Sequence, residues 1–507
     1  MSWHFDSVVI VKRGLCLAVG CVLLGVTGCV SPNTKVDRAR AALATGNDAV
    51  ALLWAEDIKD SFYSKELGYL EAGRVRMLGG DFLGSSTNLS VAVDTVIEQT
   101  ETGPRVKLGD VGANVLAGTV TDDRTRAFRL APYEFISALE YQLLNRIFMG
   151  DLDGAAVEAR RAVFAQDQIA EKYGPDVESL RKTSEEKQAK AMERMDTQMQ
   201  AMEPVLSLSR SSYENPLTWW LCGLMFERER NMADARLAYQ KAYELVPGNP
   251  YIQRDCLRAV RSQDQEAYKR LLAETGADAA TVDRPATGLV VIFEEGFVPQ
   301  RLSKKIPLPM PIGTTVISVD YPIYETPAYT PASVVLTERG KELGVSALAL
   351  SVQSLAYRDL QEKIPGIVTR NITRAVTRTG AAAVSKAVAD NDPSGIGPII
   401  YLFVSLFNVT SAAINRADTR AWYTLPMTAH VWRGGVEPGE RTLEFRNPLT
   451  GLIARVPVTV AAGETRLVWA ADTGGNIRAA TASLTGNGAP ATFGIYNSVL
   501  GVGNVLR

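Results

Sequence analysis

Apolar positions recur every three to four residues through the N-terminal half of the chain, and every second residue beyond about residue 288. That change of period predicts helices first and strands afterwards. The helical half repeats itself with a period of about 34 residues. Its clearest copy runs from Pro216 to Asn249, PLTWWLCGLMFERERNMADARLAYQKAYELVPGN. Gly223, Ala235 and Ala242 let two helices cross closely, Trp219, Phe226 and Tyr239 fill the gap, and Pro247 stops the second helix. Weaker copies span Pro32 to Ser64 (Gly46, Ala51, Ala55), Glu66 to Gln99 (Gly73, Gly80, Ser85, Leu89, Ala92) and Ile136 to Ile169 (Leu143, Gly150, Ala155, Ala159, Ala162). A partial copy follows from Pro250 to about Gly276, with Cys256 and Leu257 facing inward. Two insertions interrupt the series. Residues 100–135 are punctuated by Gly, Pro and Asp. Residues 170–215 form a polar helical stretch with Met192, Met195, Met199 and Met202 in one stripe.

The second half reads as strands. GLVVIFEEGF (Gly288 to Phe297), TTVISVDY (Thr314 to Tyr321) and Ser333 to Leu336 come first, with IPLPMPIG (Ile306 to Gly313) as a Pro-rich edge or linker. A helical block over 350–417 intervenes. Leu350 to Lys363 has an apolar face, and Ile367 to Asp390 carries Arg370, Arg374 and Arg378 in steps of four. Pro393 to Asn415 holds no charge. Its strongly apolar part, Ile399 to Val409, is shorter than the roughly 20 residues a bilayer span needs. A buried helix covering the sheet and a membrane contact both remain open there. Strands return at Leu425 to Arg433, ERTLEFRN, Leu452 to Val460 and Thr465 to Ala470. Residues 476–507, rich in Gly, Ala, Thr and Asn, are expected to be a loosely ordered tail.

The seven positions Trp219, Gly223, Phe226, Ala235, Tyr239, Ala242 and Pro247 fall where a tetratricopeptide repeat places its signature residues, so the first half resembles such an array. The expected fold is multidomain α+β. An N-terminal α-solenoid of tetratricopeptide repeats (29–280) precedes a β-sandwich-like domain (287–475) with an inserted helical hairpin. The concave groove of such a solenoid is lined by the first helix of each repeat. Here that offers Leu70, Arg74, Met77, Leu144, Ile147, Phe148, Trp220, Leu224 and Arg228 as a candidate groove for an extended peptide or partner helix.

The N-terminus carries an address. Lys12 and Arg13 precede the apolar run Leu15 to Val26, and Val26-Thr27-Gly28-Cys29 resembles a bacterial lipobox. The resemblance implies a signal peptide over 1–28, acylation of Cys29, and export to the cell envelope. Val30, rather than Asp, after the cysteine implies an outer-membrane destination facing the periplasm. Of the remaining cysteines in the mature chain, Cys222 and Cys256 are one repeat apart, which favours two buried small residues over a bridge. A net charge of -2 argues against a nucleic-acid partner.

Candidate chemistry is sparse. The sequence shows no phosphate-binding loop, nucleophile elbow or zinc-ligand spacing, so no enzyme, metal or cofactor is expected. His430, the one histidine of the mature chain, is expected to be a partly exposed strand residue. The densest cluster of specific residue types outside the repeats is ADTRAWYTLP, in which Asp418 can pair with Arg420 and Trp422 can anchor a helix-to-strand junction. The lipobox, MGDLDGAAVEARRA, GLVVIFEEGFVPQR, ADTRAWYTLP and PGERTLEF together resemble a family of uncharacterised bacterial lipoproteins with tetratricopeptide repeats. That resemblance implies a cell-envelope role and brings no catalytic residue. The expected function is a lipid-anchored protein–protein interaction scaffold, its partner an unidentified envelope protein or peptide, with homo-oligomers possible. Two alternatives stand beside it: a membrane-associated oligomeric assembly component using the apolar 396–413 segment, or a regulator of a cell-wall synthesis enzyme.

Overall fold

The computed structural model describes residues 31–61, 63–101, 128–171, 202–283, 285–309, 316–324, 335–338, 341–364, 367, 417–447 and 451–497. The signal segment and Cys29, most of both insertions, the Arg370 row and the charge-free 393–415 stretch lie outside them.

Helices come in antiparallel pairs. In each pair an inner helix is followed by an outer one: α1 (Pro32–Ala44) and α2 (Asp48–Lys59), α3 (Lys65–Leu78) and α4 (Phe82–Glu101), α5 (Pro132–Phe148) and α6 (152–171), α7 (Pro216–Arg228) and α8 (Met232–Leu245). A further pair, α9 (Pro250–Gln263) and α10 (Gln265–Thr275), closes the series. The four full pairs share one turn. The main-chain N–H of Asn47, Asp81, Asp151 and Asn231 donates in each case to a carbonyl five residues back. The residue before it has positive φ: Gly46, Gly80, Gly150 and, in the fourth pair, Arg230 at 62°. The next outer helix is capped by the Asn or Asp side chain, as where Asn47 accepts from Val50 and Asn231 from Asp234. Close crossing explains the small residues: a Cβ at Gly223 would stand 2.6 Å from the Tyr239 ring.

The second half is a sandwich of two sheets. The larger runs β12-β11-β10-β1-β7-β6, with β1 (Gly288–Glu295) parallel to β10 (Thr465–Asp472) and antiparallel to β7 (Thr428–Gly435). Its remaining strands are β6 (Ala347–Ser351), β11 (Asn476–Ser483) and β12 (Thr492–Asn497). The smaller sheet runs β5-β4-β8-β9, from β4 (Val335–Glu338), β5 (Lys341–Val345), β8 (Gly439–Arg446) and β9 (Ile453–Val460). A separate two-stranded ribbon pairs β2 (Leu302–Pro309) with β3 (Val316–Ile323). Helix α11 (352–364) follows β6. No helix among the described residues is long and apolar enough to cross a membrane.

Strand alternation sorts the core into two layers. Leu289, Val291, Phe293, Val468, Ala470, Ile477 and Ala479 face the smaller sheet, where Leu443, Phe445, Val456 and Val458 meet them. Val290, Ile292, Val431, Leu467, Trp469, Ala480 and Ala482 face the helices and share one core with Leu70, Phe148 and Trp220. The molecule is thus three layers deep, helices on sheet on sheet.

Two expectations change. The helical and β-rich halves are not separate domains, because one apolar core runs through both. The segment over residues 476–497 is not a loose tail: β11 and β12 extend the larger sheet to Asn497, and 498–507 lie outside the described residues. Its small residues serve close approach instead. At Gly475 a Cβ would meet the Ala44 carbonyl at 2.2 Å, and at Gly488 the Gly150 carbonyl at 2.2 Å.

Candidate functional site: the covered inner-helix face

The inner helices turn an apolar face toward the larger sheet, and the chain covers it with itself. Of the nine candidate groove residues, Leu70, Arg74, Met77, Leu144, Ile147, Phe148, Trp220 and Leu224 are buried. Arg228 is half-buried, pairing with Asp153 at 3.2 Å and donating to the Gly486 carbonyl at 3.3 Å. The expectation of an open groove is therefore corrected. Solvated apolar side chains on inner helices gain by covering, and the helix-facing side of the larger sheet covers them. Phe148 packs on Trp469 with ring centroids 5.9 Å apart. Trp220 donates its Nε1–H to Asp255 at 2.7 Å.

Within this seam lies the segment around ADTRAWYTLP, which crosses the inner helices and turns at Tyr423–Thr424. Glu71 of α3 accepts two successive main-chain amides, Tyr423 at 2.8 Å and Thr424 at 3.1 Å, and the Thr424 hydroxyl at 2.6 Å. Glu134 of α5 accepts the Trp422 amide at 2.7 Å. Arg40 of α1 donates to the Tyr423 carbonyl, and Arg74 of α3 to the Thr424 carbonyl at 3.4 Å. Three inner helices thus hold the segment largely by its main chain. Asp418 pairs with Arg420 at 2.7 Å, as the sequence suggested, and Arg420 also reaches the Tyr63 carbonyl. Trp422 is fully buried, edge-on to Tyr141 at 5.8 Å; the helix expected to end before it lies outside the described residues.

Three charged residues project from the larger sheet toward the helices, and each finds a partner. Glu294 pairs with Arg74 and accepts from the Tyr141 hydroxyl at 3.2 Å. Arg433 of β7 meets Asp255 at 2.9 Å and Glu227 at 3.3 Å. Arg478 of β11 donates to the Leu78 carbonyl at 2.7 Å and the Leu43 carbonyl at 3.0 Å, the C-terminal turns of α3 and α1. Asp48 pairs with the same guanidinium at 2.6 Å. Sequence reasoning missed Glu71, Glu134, Glu294, Arg433 and Arg478. The available signal was a charge enclosed by apolar neighbours, as in LEAGRV and VIFEEG.

Burial sets the proton affinities. Loss of solvation pushes the Glu71 carboxyl up to about 7, against the hydrogen bonds from Thr424 and Tyr423 that favour its charged form. Glu140, holding Thr218 and Asn215, is likewise raised to about 7 by desolvation. On the opposite face of the sheet His430 is buried, not partly exposed, and desolvation lowers it to about 4. It lies 3.2 Å from the Thr428 hydroxyl. Cys222 and Cys256 are both free and buried; desolvation pushes Cys256 up to about 12 and Cys222 further. Among the described residues no group of three or more His, Cys, Asp or Glu side chains is arranged to hold a metal ion.

No family model matches this chain, and no curated protein does. Three chains of solved structures match it. One is "Assembly Chaperone of RpL4 (Acl4) (Residues 1-338)", 16% identical, with 49% of this chain and 92% of that one covered. The TM-score of 0.18 describes no common overall arrangement of the two chains.

Proposed function

We propose that this chain is an acylated envelope protein acting as a protein–protein interaction scaffold, its helical pairs being tetratricopeptide repeats. With the inner-helix face covered by the chain's own sheet, the partner surface is the outer-helix face. The observation that carries this is the row of solvated apolar side chains there. Leu53, Val157 and Leu237 occupy the same place, six residues after the capping Asn or Asp, on α2, α6 and α8. They are 69%, 60% and 62% exposed. Leu83 of α4 and Phe164 of α6 are exposed as well. The partner is an envelope protein or peptide with an apolar face of its own.

The test is crosslinking in cells followed by mass spectrometry, comparing the parent with a Leu53→Ser, Val157→Ser, Leu237→Ser triple variant whose circular dichroism matches the parent. Loss of a specific crosslinked protein supports the scaffold. An unchanged crosslinked set refutes the outer face as its site. Palmitate labelling that survives Cys29→Ser would refute acylation independently.

A further inference from the structure

We propose that β12 is a homodimer interface: it pairs antiparallel with β12 of a second copy across a two-fold axis at Ile495, joining the six-stranded sheets of both copies into one. This rests neither on acylation nor on the outer-helix face. Each of the two packed sheets ends in two edge strands. Unpaired N–H and C=O groups on such edges attract further strands, and proteins protect them with charge, proline, bulges or cover. Three of the four edges are protected. β5 exposes Lys341 and Glu342, and its ladder with β4 shifts register between Leu336 and Thr337. β9 exposes Arg455 and contains Pro457. β6 shifts register between Leu348 and Leu350, and its Ala347 and Leu348 carbonyls accept from the Asn249 side-chain amide at 3.3 and 2.9 Å. β12, TFGIYN, has no charge, no proline and no register shift, and among the described residues β11 is its one strand partner.

The hydrogen bonds fix which groups of β12 point outward. The Thr473 amide donates to the Asn476 carbonyl at 3.1 Å, and the Leu484 amide to the Thr465 carbonyl at 2.9 Å. Residues 476 and 484 therefore turn toward β10, and with an unbroken register so do 478, 480 and 482. The alternate residues 477, 479 and 481 turn toward β12, where they meet Tyr496, Gly494 and Thr492. The main-chain groups of Phe493, Ile495 and Asn497 consequently face away from the sheet. Ala491 shares their direction, and its amide is given to the Phe148 carbonyl at 2.7 Å, at the end of α5. The open run starts just after that contact.

This edge is complementary to itself. With the axis at Ile495, Phe493 of each copy lies opposite Asn497 of the other, and Ile495 lies opposite Ile495. Every outward N–H and C=O from Phe493 to Asn497 then has a partner. An axis at Gly494 would set Asn497 opposite Ala491, whose amide is already engaged. Ile495 is the register partner of Arg478 and shares its face of the sheet, and it is 40% exposed. The two-fold axis brings these two solvated isoleucines together, covering apolar surface on both copies at once. A distinct partner strand is selected by charge or by pockets. β12 offers no charge for that selection, so the strand that fits is its own copy.

The experiment uses the full chain with single added cysteines and a short bifunctional maleimide, in cells and after purification in detergent. Ile495→Cys places two thiols on residues whose Cα atoms are about 5.5 Å apart across the axis. Thr492→Cys places them about 20 Å apart, and the native cysteines are common to both variants. A crosslinked dimer through position 495, at least about tenfold more abundant than through 492, is expected. Equal yields, or a 495 crosslink to a different protein, overturn the proposal. Sedimentation of the parent should show a monomer–dimer equilibrium in the micromolar range. Ile495→Lys, with parental circular dichroism, sets two like charges at the axis and should weaken that dimer at least about tenfold. A monomeric parent, or a dimer indifferent to the lysine, overturns it. Hydrogen exchange at the Phe493 and Ile495 amides should slow as the parent is concentrated; protection that persists on dilution means that the chain covers this edge itself, and also overturns it.

Discussion

The two faces of the larger sheet are built on different terms. Toward the smaller sheet it meets a layer of Leu, Val, Phe and Ala whose charged members, such as Glu295 and Asp472, sit at the strand ends. Toward the helices it inserts Glu294, Arg433 and Arg478 among its apolar residues, each with a partner on a named helix. Apolar packing tolerates exchange of residues of similar volume. A buried ion pair does not, because a slip of one residue strands a charge in a dry place. The inter-sheet layer therefore supplies burial, and the helix-facing seam supplies register. That division lets an array of nearly equivalent helical pairs accept its sheet in one position only.

The largest effect should come from stranding a charge in the seam. Arg74→Met leaves Glu294 buried beside Tyr141, and the expected loss is about 3–5 kcal/mol by urea unfolding. Adding Glu294→Leu should restore much of it; if the double variant is no better than the single, the pair does not set the seam. Next comes Leu443→Ala in the inter-sheet layer, with an expected loss of about 3 kcal/mol. That loss should be the same at pH 5 and pH 8, which separates the two faces.

Proton linkage sharpens the contrast, with opposite slopes from the two sides. Glu140 holds its proton up to about pH 7 when folded, against an ordinary value near 4.5. Between those values the folded chain binds more protons than the unfolded one, so this group's contribution to stability falls as pH rises from about 4.5 to 7. Glu140→Gln should flatten that arm by on the order of 2 kcal/mol in unfolding curves taken across the range. His430, lowered to about 4 from 6.5, acts in reverse: its contribution is full above 6.5 and is lost as pH falls through 4. His430→Gln should flatten only the acid arm, and a common response to both variants would break the distinction. The smallest effect belongs to the outer helices, where Leu53→Ser should change stability by no more than about 0.5 kcal/mol.

The sequence made the periodic parts legible. The turn glycines Gly46, Gly80 and Gly150 and the crossing residues Gly223 and Ala235 announced the helical pairs, because their spacing follows from helix geometry alone. The apolar run of β1 announced a strand buried on both faces. The inward set of Leu70, Trp220 and Phe148 was also correct as a set of inner-helix positions. What covers them was not legible, since periodicity marks which face is apolar and not what lies across it. Trp422 and Glu71 illustrate the gap: they are 351 residues apart in sequence yet belong to one seam, and no local pattern links them. The expectation of a loose tail failed over residues 476–497 for a related reason. Ala480 and Ala482 resemble a loose tail until the helices they pack against are known.

The strand order has a kinetic consequence. β1 lies between β10 and β7, so both of its neighbours are made more than a hundred residues after it. A chain growing from its N-terminus completes its helical pairs long before residues 417–497 exist. During that interval Leu70, Phe148 and Trp220 wait in water, and Arg74 waits without the segment it will hold. Closure of long-separated contacts is slow, and exposed apolar surface invites wrong partners. The newborn molecule passes through a stage with a wet, adhesive hollow, and its last strands end that stage by acting as the cover it carries for itself.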